Sequence, residues 1–190
     1  MATYLFSEEE LAHLRYIREH APVSIWYEYT RYIFDYENFH FVLDIEVADK
    51  INFSKKDNKF TQHALKTEVA FFDEKFVPRT GSDLLIENDS ILEIDIARTK
   101  LYFTEHIKVS ETYFHANSGQ INPTKPIPED IRQAKVVVVD AGVVIKCKSK
   151  IILNLFIADN EDDFITTNYY YRQGDFSKEL SSKFQFIPII

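Results

Sequence analysis

Glycine is scarce in this chain of 190 residues, which contains only 4. Loops that cradle phosphate groups, and folds that turn repeatedly at positive φ, depend on glycine, so the sequence disfavours both. It also lacks a Walker loop, a nucleophile elbow and a dinucleotide fingerprint. These absences lower the expectation of an enzyme without excluding one, and they give no reason to expect a cofactor.

Cysteine occurs once, at Cys147, so no disulfide can form within the chain. No apolar run approaches the length of about 18 residues that indicates a membrane-spanning helix. The N-terminus lacks the pattern of a secretory signal. We therefore expect a cytoplasmic protein without membrane association. Cys147 has the same strand parity as Val143 and Ile145, which predicts a buried, structural thiol.

Positive charge is also in deficit, since 22 Lys and Arg oppose 30 Asp and Glu and leave a net charge of −8 at pH 7. Binding to nucleic acid is led by basic side chains that neutralise phosphates, so this balance argues against a nucleic-acid partner. The same balance favours a basic protein partner, although it also serves solubility.

Aromatic residues, by contrast, are abundant, with 16 Phe and 11 Tyr, and they favour strands. A helix precedes the strand-rich part, because Ser7 and Glu10 form a capping box and Leu11, Leu14 and Ile17 repeat at helical spacing. We predict an α+β, β-rich fold. In it, a mostly antiparallel sheet, arranged as a sandwich or as a curved, barrel-like sheet, packs against this N-terminal amphipathic helix.

We predict a single domain over residues 1–190. Its parts are an N-terminal helix at 8–20, a strand-rich part at 23–109, a long loop at 110–134, an antiparallel meander at 135–172 and a C-terminal tail at 173–190. Residues 62–72 fit either a helix or a strand. Asp140, Ala141 and Gly142 are expected to separate two strands of the meander. The apolar end of the tail is expected to dock on its own domain.

The clearest strand pattern lies at residues 39–47, where Phe41, Leu43, Ile45 and Val47 occupy every second position. Because side chains alternate between the two faces of a strand, we expect these four side chains in the core. A similar alternation at 92–96 assigns three more residues to the core: Leu92, Ile94 and Ile96.

The opposite faces of these two strands carry His40, Asp44 and Glu46 on one and Glu93 and Asp95 on the other. If the two strands lie side by side, the four carboxylates and the imidazole would suit a divalent metal ion or a division of acid and base roles. A one-sided sheet with polar residues turned to solvent is the simpler interpretation.

A second candidate surface lies in the aromatic run near the end of the meander. Tyr169, Tyr171 and Arg172 belong to residue types that are enriched at the energetic centres of interfaces. Asp44 and Glu46 are the other candidate binding residues, because their charge suits a basic partner.

We predict a non-catalytic interaction protein of the inhibitor or immunity type, whose acidic surface binds a basic protein partner. One alternative is a metal-dependent hydrolase that uses His40, Asp44, Glu46, Glu93 and Asp95. Another is a small-ligand binding module with an aromatic-lined pocket between helix and sheet. The sequence gives no indication of the oligomeric state.

Overall fold

A computed structural model describes residues 2–28, 31–55, 58–103, 135–157, 165–170 and 184–190. For residues 49–55, 58–64, 101–103, 135, 156–157 and 165–170 the description covers the backbone alone. The predicted loop at 110–134 lies outside the described residues, as does the tail up to residue 183.

The described chain forms one helix and eleven strands. In chain order they are β1 Ala2–Tyr4, α1 Glu8–Glu19, β2 Ser24–Glu28, β3 Arg31–Asp35, β4 His40–Lys55, β5 Asn58–Phe72, β6 Ser82–Glu87, β7 Ile91–Phe103, β8 Lys135–Cys147, β9 Ile152–Ile157, β10 Ile165–Tyr170 and β11 Gln185–Pro188. In the part of the chain that the structure describes, no helix has the length and apolarity needed to cross a membrane.

The helix α1 begins where the sequence predicts and ends at Glu19, with the next residue as its C-cap. Ser7 Oγ accepts a hydrogen bond from the Glu10 N–H, and the Glu10 carboxylate accepts one from the Ser7 N–H. The predicted capping box is therefore present, and it satisfies N–H groups that a helix start leaves without partners. Leu14 and Ile17 are buried, so the apolar stripe faces the core.

The first sheet is antiparallel and has five strands in the order β5-β4-β3-β2-β6. Residues 62–72, which fit either a helix or a strand, belong to β5, and β5 pairs with β4 along its whole length. β3 pairs with β4 only from His40 to Leu43. From Asp44 onward, the hairpin of β4 and β5 therefore extends past β3.

The second sheet has six strands, with the order β10-β9-β8-β7-β11 and with β1 paired in parallel to β8. Asp140, Ala141 and Gly142, which we expected to separate two strands, lie inside the continuous strand β8. The prediction of a turn there is wrong because the irregularity is a β-bulge. Ala97 pairs with Gly142 and Arg98 pairs with Asp140, which leaves Ala141 as the extra residue.

The bulge in β8 marks a change of neighbour along that strand. Before it, Val137 to Val139 pair with β1, and after it Gly142 to Lys146 pair with β9. The Asp140 side chain is buried at this point and accepts hydrogen bonds from the Phe6 N–H at 2.8 Å and from Arg98 Nε at 2.7 Å. The Asp140 carboxylate therefore connects Phe6, which precedes the N-cap of α1, with both strands of the bulge.

The two sheets and the helix share one hydrophobic core. It includes Leu14 and Ile17 from α1, Tyr32 and Phe34 from the five-stranded sheet, and Val143 with its neighbours from the six-stranded sheet. The described strands form two sheets, neither of which closes on itself. The predicted α+β, β-rich fold with an N-terminal helix is confirmed, in the form of a sandwich.

The apolar end of the chain docks on its own domain, as we expected. β11 pairs with β7, and the following residue, Ile189, is buried in the shared core. The Ile189 N–H donates to Ile94 O at 2.8 Å, and the Arg18 guanidinium of α1 donates to Ile189 O. The C-terminus is thereby joined to a strand and to the helix.

The core assignment along β4 is correct for Phe41 and Leu43, which are buried, while Ile45 is partly buried. Val47 is 47% exposed, so its assignment to the core is wrong. The described pairing of β3 with β4 ends at Leu43, so Val47 lies on the part of the hairpin that extends beyond β3.

The core assignment on β7 also needs one correction, which a β-bulge explains. Ile94 and Ile96 are buried as predicted, but Leu92 is 58% exposed. The register shifts between Ile91 and Glu93, so Leu92 is the extra residue and Ile91 takes its place in the core.

Candidate functional site

The candidate site lies on the outer face of the five-stranded sheet, which is the side turned away from the shared core. Phe41 and Leu43 point into the core, so the residues between and after them point outward. On β4 these are His40, Val42, Asp44 and Glu46, and their partners in register on β5 are Phe72, Ala70, Glu68 and Lys66.

Three carboxylates of this face lie next to one another, and we call Asp44, Glu46 and Glu68 the acidic strip. Asp44 stands directly opposite Glu68 across the two strands. Glu46 lies one step along the same face, and its carboxyl group interacts electrostatically with that of Glu68. Glu46 is exposed, while Asp44 and Glu68 are partly buried.

The closeness of these carboxyl groups changes the protonation of Glu68. Burial, the hydrogen bond with Glu46 and the negative charge of Glu46 together raise the pKa of Glu68 from 4.5 to about 7. A carboxyl group whose pKa is raised in this way keeps its proton to a higher pH than an exposed glutamate does. The strip therefore carries more negative charge than its environment readily accommodates.

A lysine lies beside the strip, but it is held by the helix. Lys66 Nζ is 3.3 Å from Glu10 Oε1 of α1, and the same oxygen is 3.4 Å from the Val69 N–H. Although burial raises the pKa of Glu10, hydrogen bonds from Ser7 and the charge of Lys66 hold it below its ordinary value. The positive charge of Lys66 is thus shared between Glu10 and the acidic strip.

The same part of α1 covers the edge of β5. His13 Nδ1 donates a hydrogen bond to Val69 O at 3.3 Å, and the His13 ring packs against Phe41 and Phe71. An edge strand has main-chain groups that could pair with another chain, and at Val69 two side chains of the helix occupy both of them. The strip therefore belongs to a rigid corner where helix and sheet meet.

His40 lies on the same face as Asp44 and Glu46. It is buried, whereas a polar residue on the outer face of a one-sided sheet is expected to be exposed to solvent. Its Nδ1 donates to Glu74 O at 2.7 Å, and its ring stacks on Phe72 with 4.9 Å between centroids. Phe76 covers it from the loop after β5. The sequence could not show this, because the covering residues are more than thirty positions away.

A polar row that sequence reasoning missed crosses three strands of this face. Ser24, Asp35 and His40 are partners in register on β2, β3 and β4, and all three are buried. Ser24 Oγ donates to Asp35 Oδ2 at 3.3 Å and accepts from Trp26 Nε1 at 2.8 Å. Asp35 Oδ1 has no hydrogen-bond partner among the described residues. The hairpin register would have revealed this row.

The composition of this row suggests nucleophilic catalysis, but its geometry does not support it. His40 is two strands away from Ser24, a distance of about 10 Å between strand axes. The hydroxyl proton of Ser24 points to a carboxylate instead of an imidazole. A serine nucleophile needs its base within hydrogen-bond reach, so the row is a structural network.

The remaining carboxylates of the predicted metal site lie in the other sheet. Glu93 and Asp95 are on β7, where Lys146 of β8 contacts both, with 3.3 Å between Lys146 Nζ and Asp95 Oδ2. Although burial lowers the pKa of Lys146, the two carboxylates raise it above its ordinary value. These carboxylates therefore do not converge with Asp44 and Glu46. Across the described ranges, no group of three or more His, Cys, Asp or Glu could hold a metal ion.

The second predicted surface is only partly described. The backbone of Tyr169 lies in β10 and pairs in register with Leu153, while Tyr171 and Arg172 lie outside the described residues. Binding by these three residues stays a prediction.

Comparison of the chain with protein-family models, with curated proteins and with solved structures finds no match. A functional interpretation therefore depends on the geometry and charge of the outer face.

Proposed function

We propose that the protein is a non-catalytic binding protein of the inhibitor or immunity type, and that its outer face binds a basic protein. The observation that supports this proposal is the acidic strip. Asp44, Glu46 and Glu68 lie on one face of two paired strands, and burial together with Glu46 raises the pKa of Glu68 to about 7.

The physical argument is electrostatic complementarity. Neighbouring carboxylates repel one another, and a cationic side chain placed over them would relieve this repulsion. Lys66 supplies part of that relief, but its ammonium group also serves Glu10. A lysine or arginine of a partner would therefore gain attraction at the strip, and the net charge of −8 would guide its approach.

No observation on the described residues favours the other two functions. The carboxylates predicted for a hydrolase are divided between two sheets, and the Ser24 row lacks a base beside its hydroxyl group. The metal-dependent hydrolase and the small-ligand binding module stay predictions from the sequence.

Two charge variants test the proposal. The first, Asp44→Asn with Glu46→Gln, neutralises the two carboxylates of the strip that lie on β4. The control, Glu9→Gln with Glu37→Gln, removes the same total charge from exposed sites elsewhere. Proteins retained by the wild type from native lysate would be purified, and their association and dissociation rates measured at low and high salt.

We expect the association rate constant at low salt to fall about tenfold in the strip variant and to be nearly unchanged in the control. The difference should shrink at high salt, because exposed charges are screened. An association rate that depends on neither salt nor the strip would contradict the proposal. Equal losses in both variants would show a general effect of net charge instead of a site.

A further inference from the structure

The loop between β5 and β6, residues 73–81, lies over the outer face, and we call it the outer loop. Its Phe76 belongs to one apolar cluster with Val42, the residue next to Asp44 on that face of β4. Phe76 of this loop is buried, with ring centroids 5.9 Å from Trp26 and 5.7 Å from His40. The next residue, Val77, is 71% exposed. The outer loop therefore turns one apolar side chain inward as an anchor and the following one outward.

Several contacts hold the outer loop in place. Near its start, Glu74 O accepts a hydrogen bond from His40 Nδ1 at 2.7 Å. At its end, the Arg79 N–H donates to Ser82 Oγ at 2.9 Å, and the Ser82 N–H donates back to Arg79 O at 3.0 Å. Pro78 fixes its own φ and restricts the residue before it, Val77, to an extended backbone.

The supports of the outer loop are themselves buried polar groups. Ser82 Oγ donates to Glu28 Oε1 at 3.0 Å, and the buried Glu28 carboxylate is paired with Arg31 at 2.7 Å. The hydrogen bond from Arg31 holds the pKa of Glu28 below its ordinary value. His40 belongs to the buried row on the same face. Both ends of the outer loop are therefore attached to groups that are costly to rearrange.

Two further apolar side chains of the outer face are exposed. Leu84 stands opposite Trp26 in register and is exposed, as is Phe72 at the start of the outer loop. The four charges on the outer loop cancel, since Asp73 and Glu74 are balanced by a lysine and an arginine: Lys75 and Arg79. Binding at Val77 would therefore be apolar, in contrast to binding at the acidic strip.

We propose that the outer loop anchors the interface, and that Val77 enters an apolar pocket of the basic protein while the acidic strip steers its approach. This inference rests on the proposed function, because the charge of the strip is what specifies the partner. A loop already held in one conformation loses little entropy on binding, and apolar anchors in pockets dominate the lifetime of protein complexes. Phe72 ends β5 next to the loop and stacks on His40, on the same outer face as the strip.

Site-specific photo-crosslinking would find the protein that contacts the loop. Lys75 is replaced by the photoreactive amino acid p-benzoylphenylalanine, which leaves Val77 intact, and Leu92 on the other sheet is replaced in the control. We expect one basic protein to be captured from position 75 and not from position 92. Capture of nothing, of the same protein from both positions, or of a second copy of this chain would overturn the proposal.

The captured protein, once purified, allows the anchor to be tested by kinetics. Val77→Ala should raise its dissociation rate constant about tenfold and leave the association rate nearly unchanged. Leu92→Ala, which shortens another exposed apolar side chain on the other sheet, should change neither rate. Because Val77 is exposed, its replacement should leave the melting temperature unchanged. Unfolding of the variant therefore cannot account for a faster dissociation.

The two proposals fail in different ways. If Val77→Ala leaves dissociation unchanged while Asp44→Asn with Glu46→Gln slows association, the strip binds and the anchor is refuted. The opposite result is that Val77→Ala speeds dissociation, while the association rate changes neither with salt nor in the variant Asp44→Asn with Glu46→Gln. That result would support the anchor and refute the basic partner. Phe76→Ala should also speed backbone hydrogen exchange at residues 74–80, and unchanged exchange would refute the claim that Phe76 holds the loop.

Discussion

Replacing Glu68 by Gln should stabilise the protein at neutral and alkaline pH but not in acid. The pKa of this carboxyl group is raised from 4.5 to about 7 by burial and by Glu46. Below pH 4.5 the group is protonated in both folded and unfolded chains, so it adds no pH dependence. Between these two values the folded state binds the extra proton, and folding stability therefore falls as the pH rises through this window.

The size of the effect follows from the same two values. A difference of about 2.5 between them, at about 1.4 kcal/mol for each pKa unit, corresponds to about 3.5 kcal/mol for a group without solvent screening. Glu68 is partly exposed, and screening reduces the expected change to about 1 kcal/mol. For a chain of this length that is a difference in melting temperature of about 2–4 °C.

Urea unfolding of wild type and Glu68→Gln across a pH series would measure this difference. We expect the two free energies of unfolding to coincide near about pH 4 and to diverge by about 1 kcal/mol, in favour of the variant, near about pH 8. Glu37→Gln, which removes an exposed carboxyl group in a loop, is the matched control. A difference between wild type and Glu68→Gln that does not vary with pH would refute the reasoning.

Three further predictions concern the scaffold. Leu14→Ala, in the side of α1 that faces the shared core, should lower the free energy of unfolding by about 3 kcal/mol, as measured by urea denaturation. Arg98→Ala should cost a similar amount, about 3 kcal/mol, because it leaves the buried Asp140 carboxylate with fewer partners; Lys100→Ala on the same strand is its control, and equal stabilities would contradict the argument. Cys147, whose pKa burial raises to about 12, should react with a thiol reagent only after unfolding; rapid reaction of the native protein would show that the side chain is accessible.

Local patterns in the sequence predicted several elements correctly. The capping box of Ser7 and Glu10 and the stripe of Leu14 and Ile17 depend on residues within three or four positions of each other, and both are present. Alternation along β4 placed Phe41 and Leu43 correctly for the same reason. These features are local, so they can be read from neighbouring residues.

The errors arise where distant residues decide exposure. Val47 is exposed on the part of the hairpin that extends beyond β3, and Leu92 is exposed because a bulge shifts the register of β7. Residues 140–142 continue a strand instead of turning because β7 pairs with both sides of the bulge. His40 is buried because Phe76 returns over it from another segment.

The sequence by itself determined the helix start, the β-rich class, the excess of negative charge and the presence of carboxylates on strand faces. Only the tertiary structure decided which carboxylates meet, because register and sheet membership depend on pairing between distant segments. It separated Glu93 and Asp95 from Asp44 and Glu46, and it brought Glu68 beside Glu46 instead. Side-chain chemistry is a property of each residue, whereas proximity is a property of the packed chain.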